Sequence, residues 1–206
     1  MSIENQILLK ENSEPGILRL IMNDPNRKNA LSENMIDALT DAVASSSEDK
    51  SIKVIIIAAN GNVFSSGHDL KELTLARDHE DDGNSYFMKL FDVCSSLMQS
   101  IVDCPKPIIA EVNGVATAAG CQLVASCDLA ISSNNSKFAT PGVNLGLFCS
   151  TPMVALSRNL SKKDAMKMLL TGDMVDAKEA KNISLINEHV SEDELSQTVM
   201  KLAQKI

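Results

Sequence analysis

Apolar positions along this chain follow two periods, and the change from one to the other marks the elements. Gln6 to Lys10 and Ile17 to Met22 read as extended segments, and the intervening "ENSEPG", where Pro15 and Gly16 favour a turn, joins them as a hairpin. After the loop "NDPNRKNALS", the residues Met35, Ile36, Leu39 and Val43 recur at helical spacing, with Ser32 placed to cap the helix. "KVIIIAA" (Lys53 to Ala59) is a continuous β-branched run, the pattern of a strand covered on both faces, and "NGN" at 60–62 ends it.

From Leu73 to Ser85 charge is dense and periodicity absent, which predicts a mobile surface loop. Phe87, Leu90, Phe91, Cys94, Leu97, Met98 and Ile101 then form a helical stripe read as core, stopped by "CPKP", because proline lacks the N–H that a helix needs. A strand "IIAEV" runs into Asn113-Gly114, a tight turn and a helix containing Gln122. "CDLAIS" reads as another strand, "SNNS" as a turn, Ser161 and Asp176 as caps of two later helices, and Leu195, Val199, Leu202 and Ile206 as one side of a last helix. The alternation of strands and helices predicts an α/β or layered α+β architecture in a single globular domain over residues 1–206.

Charge and cysteine usage narrow the classes of function. The net charge is −8 and the densest basic run is only "SKKDAMK", so there is no footprint for a nucleic-acid backbone, although single Lys and Arg residues suffice for a small phosphorylated ligand. Five cysteines without a CxxC pair predict buried reduced thiols. His68, His79 and His189 lie at no metal-ligand spacing, so no metal is expected. An acidic, polar N-terminus and the lack of a long apolar run predict no leader, no membrane span and a soluble cytoplasmic protein.

Two stretches carry candidate chemistry. "NGNVFSSGHDLKEL" and "GVATAAGCQLVASCD" each lead from an apolar run through small residues and a glycine into a helical pattern, exposing backbone N–H groups that have no helical partner. Paired turns of this kind suit two donors converging on one carbonyl oxygen. Asp69 and Glu72 read as helix-start residues and Asp128 as structural.

"VFSSGHDLKEL", "CPKPIIAEVNGVATAAGCQLVASCDLAISSNNSKFATPGVNLGLF" and "MLLTGDMVDAKEAKNISLINEHV", in that order, resemble the signature blocks of the crotonase, or enoyl-CoA hydratase/isomerase, superfamily, over Gln6 to Ile206. The resemblance implies an α/β fold built as a spiral ββα superhelix of the ClpP/crotonase type, with the family's C-terminal helical region short or missing after Ile206. It implies an acyl-CoA thioester as substrate in fatty acid metabolism, no further cofactor, and homotrimers or hexamers. It places two oxyanion-hole donors at the backbone N–H groups of His68 and Ala119, and coenzyme A along Lys28, Ala30, Leu31, Ser66, Gly67, His68, Asp69 and Leu70. The His68 imidazole is then left to face solvent or the coenzyme. It also exposes a departure: the two glutamates that move protons in the family's hydratases fall at Gln122 and Gly142, neither of which exchanges a proton at neutral pH. Ordinary hydration is therefore in question, and a catalytically degenerate acyl-CoA-binding or regulatory protein is the alternative. Cys149 sits where some relatives place an acid; it reads as a packing thiol, with a base or nucleophile as the other reading. Gain of hydration on restoring both carboxylates, Gln122→Glu with Gly142→Glu, is the test of whether the site geometry survives.

Overall fold

The computed structural model describes residues 6–206. Strands β1 (Leu8–Glu14) and β2 (Ile17–Met22) form the expected antiparallel hairpin about Pro15-Gly16, with Leu8 opposite Met22. β1 begins later than the sequence pattern predicts and continues through "ENSE", because Glu11, Asn12 and Glu14 are exposed and leave the backbone ladder free to run to the turn. Helix α1 (Glu33–Glu48) starts where Ser32 Oγ accepts the Met35 N–H at 3.3 Å, and it buries Met35, Ile36, Leu39 and Val43.

The rest of the chain repeats one unit, in which a strand is followed by a short second strand and then by helix. The first unit is β3 (Val54–Ala59), β4 (Val63–Ser65), α2 (Leu70–Ala76) and α3 (Asn84–Val102). The second is β5 (Ile108–Val112), β6 (Val115–Thr117) and α4 (Ala119–Ser126). The third is β7 (Leu129–Ser133), β8 (Lys137–Ala139), a 3-10 turn at Pro141–Leu145, α5 (Ser150–Asn159) and α6 (Lys162–Thr171). β9 (Val175–Asp176), α7 (Ala177–Asn182), β10 (Glu188–Val190) and α8 (Glu192–Ala203) follow. β3, β5 and β7 are parallel neighbours in a six-stranded sheet of order β1-β2-β3-β5-β7-β10, while β4, β6 and β8 are parallel neighbours in a four-stranded sheet of order β4-β6-β8-β9. This is the ββα spiral that the resemblance implied.

The β-branched run of β3 is buried on both sides, as its composition predicted. Ile55 and Ile57 join the main core with α1, α3 and α4, whereas Val54 and Ile56 pack with Ile109 and Ile131 under Leu195, Val199 and Ala203 of α8. Ser161 and Asp176 cap α6 and α7 through the Asp164 and Glu179 N–H groups, as expected.

Three expectations change, and one feature had no sequence signal. The stretch 73–85 is not one loop: α2 continues to Ala76 and α3 begins at Asn84, because the Asp69 side chain caps α2 through the Lys71 and Glu72 N–H groups. Phe91 is not core; it is 45% exposed, unlike the buried Leu90, Cys94, Leu97, Met98 and Ile101. Ile206 lies beyond α8 and is exposed. The strands of the small sheet carry no sequence signal of their own, being only two or three residues long.

One ion pair ties the hairpin to the spiral. Arg19 of β2 reaches across β3 to the buried Glu111 of β5, with Nη2 to Oε1 at 2.6 Å and Nε to Oε2 at 3.2 Å, and its other nitrogen meets Glu11 at 3.1 Å. Removing only the guanidinium leaves a buried carboxylate unpaired. Arg19→Met is expected to lower unfolding free energy by about 3–5 kcal/mol, and Arg19→Met with Glu111→Leu to recover most of it. Urea unfolding of the two variants measures this; equal losses in both would show that the pair is not what holds the strands together.

Candidate functional site

The two glycine-punctuated turns are pressed together. A methyl group built on Gly67 would stand 2.8 Å from Ala118 Cβ, 3.0 Å from the Thr117 carbonyl oxygen and 3.1 Å from Ala119 N, and one on Gly120 would stand 2.4 Å from the Ser65 carbonyl oxygen. Only glycine permits this approach, and Gly67 also has φ of +85°. The Thr117 hydroxyl donates to the Ser66 carbonyl at 3.2 Å, and the Ala118 N–H donates to the Ala139 carbonyl at 2.9 Å. Ala118 itself is held at φ 51° and ψ −122°, a conformation that costs a non-glycine residue about 1–3 kcal/mol. That twist starts α4 and leaves Ala119 at its first position. Among the described residues, neither the Ala119 N–H nor the His68 N–H donates a hydrogen bond to the chain.

A strap from the hairpin closes one side. The Ser66 N–H donates to the Lys28 carbonyl at 3.1 Å and the Leu31 N–H to the Gly67 carbonyl at 2.8 Å, so 28–31 and 66–70 run side by side. Of the eight residues expected along the coenzyme, Lys28 and Leu70 expose their side chains, while Ala30, Leu31, Gly67 and Asp69 are buried. The Asp69 carboxylate is engaged by Arg27 and by the start of α2, and these contacts outweigh its burial and hold its pKa below the usual carboxylate range. Glu72 links the same corner to Arg27 at 3.1 Å and to the Glu33 N–H at 3.2 Å.

The side chains that meet this corner leave polar atoms without partners. His68 stands edge-on to Phe91 with ring centres 5.4 Å apart. Burial holds the His68 pKa below its ordinary 6.5, against the opposing pull of the Leu31 carbonyl and the Glu72 charge, so the imidazole is neutral at pH 7. His68 Nδ1, Gln122 Oε1 and Thr140 Oγ1 are buried with no hydrogen-bond partner. All three sit on segments joined at Ala118: His68 follows Gly67, the Gln122 N–H donates to the Ala118 carbonyl at 3.1 Å, and Thr140 follows Ala139. Gln122 also lines an open-sided cavity of about 640 Å³ between α3, α4 and α5, whose walls include Ser95, Met98, Ala125, Val154 and Arg158. Phe91 and Thr140 carry no signal in the sequence that marks them as part of this corner. Phe91 continues a core stripe, and Thr140 stands in an unpatterned turn.

The sequence profile of the family described as enoyl-CoA hydratase/isomerase matches residues 12–206. The chain belongs to that family. It is similar to enoyl-CoA hydratase domain-containing protein 3 of Xenopus laevis, at 50% identity over 94% of this chain and 64% of that protein. The protein of the same name from Homo sapiens is 49% identical over 93% of this chain and 61% of its own length. Among solved structures, an enoyl-CoA hydratase of Mycobacterium smegmatis superposes with a TM-score of 0.92 at 44% identity, over 98% of this chain and 77% of that one. The human domain-containing protein 3 gives 0.90 at 46% identity, over 97% and 77%. The chain thus spans under two thirds of the length of these two curated relatives. Their names include "mitochondrial", as do those of the mouse, rat and zebrafish proteins, and this overturns the expectation of a cytoplasmic location. That expectation rested on the acidic, polar first residues and the lack of a long apolar run, and neither feature specifies a compartment. Among the described residues no helix is long and apolar enough to cross a membrane, and no group of three or more His, Cys, Asp or Glu is placed to hold a metal.

Gly142, where the resemblance expects the family's second glutamate, is walled in. A methyl group there would stand 2.6 Å from the Leu147 carbonyl oxygen and 2.7 Å from Cys149 Sγ. The 142–149 segment fills the space beside Gly142, so a Gly142→Glu substitution does not fit this packing. Cys149 is half-buried at the start of α5 and fills that space. Burial, with Cys149 nearby, pushes the Cys121 thiol up to about 12, and burial alone pushes Cys94 to about 11.

Two outcomes are expected. Gly142→Ala should destabilise the protein by about 1–3 kcal/mol, with part recovered by adding Cys149→Ala, as read by chemical denaturation; a neutral Gly142→Ala would show that the segment yields freely. For His68, whose folded pKa is depressed, the unfolded chain takes up a proton first as pH falls below 6.5. Stability should therefore drop between about pH 7 and about pH 5, and His68→Gln should show a shallower drop in urea midpoints over the same range.

Proposed function

We propose that this domain binds an acyl-CoA thioester with its carbonyl oxygen between the His68 and Ala119 N–H groups, and stabilises the enolate-like oxyanion that forms there. The observation that carries this reading is the pair of partnerless N–H groups on two turns in van der Waals contact. A fixed backbone donor aimed at developing charge is worth roughly a hundred- to thousandfold in rate. The coenzyme runs along 28–31 and 66–70, where exposed Lys28 supplies a cation and the buried Ala30 and Leu31 act through their backbone. Asp69 and Ser66 shape this edge, Asp69 by capping α2 and Ser66 by its bonds to Lys28 and Thr117.

The reaction belongs to the lyase and isomerase chemistry of fatty acid metabolism that passes through a thioester enolate, in an assembly that is a homotrimer or hexamer in the whole protein. Gln122 carries no exchangeable charge but orients a water or a substrate oxygen. With Gln122 and Gly142 in place of acid and base, the site lacks groups that contribute about 10²- to 10⁴-fold each. That same replacement, and the packed wall behind Gly142, support a second reading, in which the domain binds acyl-CoA without turning it over.

Turnover separates the two. Incubated with crotonyl-CoA and a panel of saturated and substituted acyl-CoAs, the protein is expected to bind the esters and to hydrate crotonyl-CoA slowly, with Gln122→Glu faster by about 10²-fold. Binding with no turnover of any ester would eliminate the enzyme and leave the binding protein. Loss of turnover in Cys149→Ala would assign the proton carrier to that thiol.

A further inference from the structure

From the placement of Gln122 we infer that the site selects acyl thioesters bearing a second carbonyl on the acyl group, a 3-oxoacyl class, which Gln122 holds through its amide N–H. This rests on the thioester binding proposed above and goes beyond it by naming the acyl group.

Gln122 follows Ala119 by one turn of α4, and side chains on a helix lean toward its N-terminal end, so the amide stands over the turn that carries the Ala119 N–H. Gln122 is also part of the cavity wall between α3, α4 and α5. An acyl group whose thioester oxygen lies at Ala119 and whose tail enters the cavity therefore passes the amide within its first few carbons. Gln122 as a residue is 6% exposed, and its amide oxygen is buried with no partner among the described residues. The Nε2 end makes no hydrogen bond among the described residues and is not buried, which leaves the donor end to face the cavity.

The chemistry of that end chooses the ligand. An N–H donates to a ketone oxygen, whereas a carboxylate at the same place would set its lone pairs against those of the ketone. Substituting an amide for a carboxylate thus abolishes proton transfer and creates a donor for a second carbonyl. Among the described residues near Ala118, no carboxylate side chain is buried with a free oxygen to compete for it, since Asp69 is committed to Arg27 and α2. A saturated acyl chain that fills this part of the cavity displaces water without offering the amide N–H a partner, and sites built around a hydrogen bond discriminate against analogues that lack it.

Titration calorimetry of the folded protein with acetoacetyl-CoA and with butyryl-CoA tests this. The wild type is expected to bind acetoacetyl-CoA roughly tenfold more tightly than butyryl-CoA. Gln122→Met, of nearly the same shape, should bring the two esters to within about twofold by weakening only acetoacetyl-CoA, and Gln122→Glu should reverse the order. Circular dichroism and a cooperative thermal transition in both variants report that they are folded. Equal binding of the two esters by the wild type, or an unchanged ratio in Gln122→Met, would overturn the assignment while leaving thioester binding standing. Failure of both esters to bind the wild type would remove the thioester reading itself, and this inference with it.

Discussion

Everything about the candidate site depends on how closely two stretches of backbone approach each other. Gly67 lies against Ala118, and Gly120 lies against Ser65, at distances that exclude even a methyl group. That contact is possible because β4 and β6 are parallel neighbours in the small sheet, so that the turn after each strand emerges on the same edge. The spiral sets the strands, the strands set the turns, and the turns fix two N–H groups with no partner among the described residues. The strain in Ala118 is local to this contact and is held by its bond to Ala139 and by the packing of Gly67.

Much of this was legible in the residues. The β-branched "KVIIIAA", the Ser32, Ser161 and Asp176 caps, and the spacing of Met35, Ile36, Leu39 and Val43 are strong local signals, and each element stands where it was expected. The two glycine turns were visible as turns and as a candidate pair of donors, and the family resemblance supplied the ligand that such a pair would hold. Three features were not legible. Strands as short as Val115–Thr117 hold their place by pairing with distant segments and have no period of their own. Phe91 sits on a stripe with core residues, and only the fold shows that it stays partly exposed and faces His68. The closure around Gly142 depends on a carbonyl and a thiol later in the chain, which no spacing rule brings to that glycine.

The site also shows how differently backbone and side-chain chemistry respond to substitution. The His68 and Ala119 donors belong to the main chain and persist whatever side chains those positions carry. Gln122 and Gly142, where the resemblance places the family's two glutamates, are residues that do not titrate. Three buried polar atoms, on His68, Gln122 and Thr140, have no partner among the described residues, and all three lie on the segments joined at Ala118.

The wall behind Gly142 gives this chain a direction of change. A glycine that merely lacked its carboxylate would regain it by one substitution. With the Leu147 carbonyl and the Cys149 sulfur occupying the first atom's place, that substitution meets a clash before it meets a substrate, and the loop must be remodelled at the same time. Position 142 is therefore epistatic with the 147–149 stretch: a side chain at the first becomes tolerable only when the second changes with it.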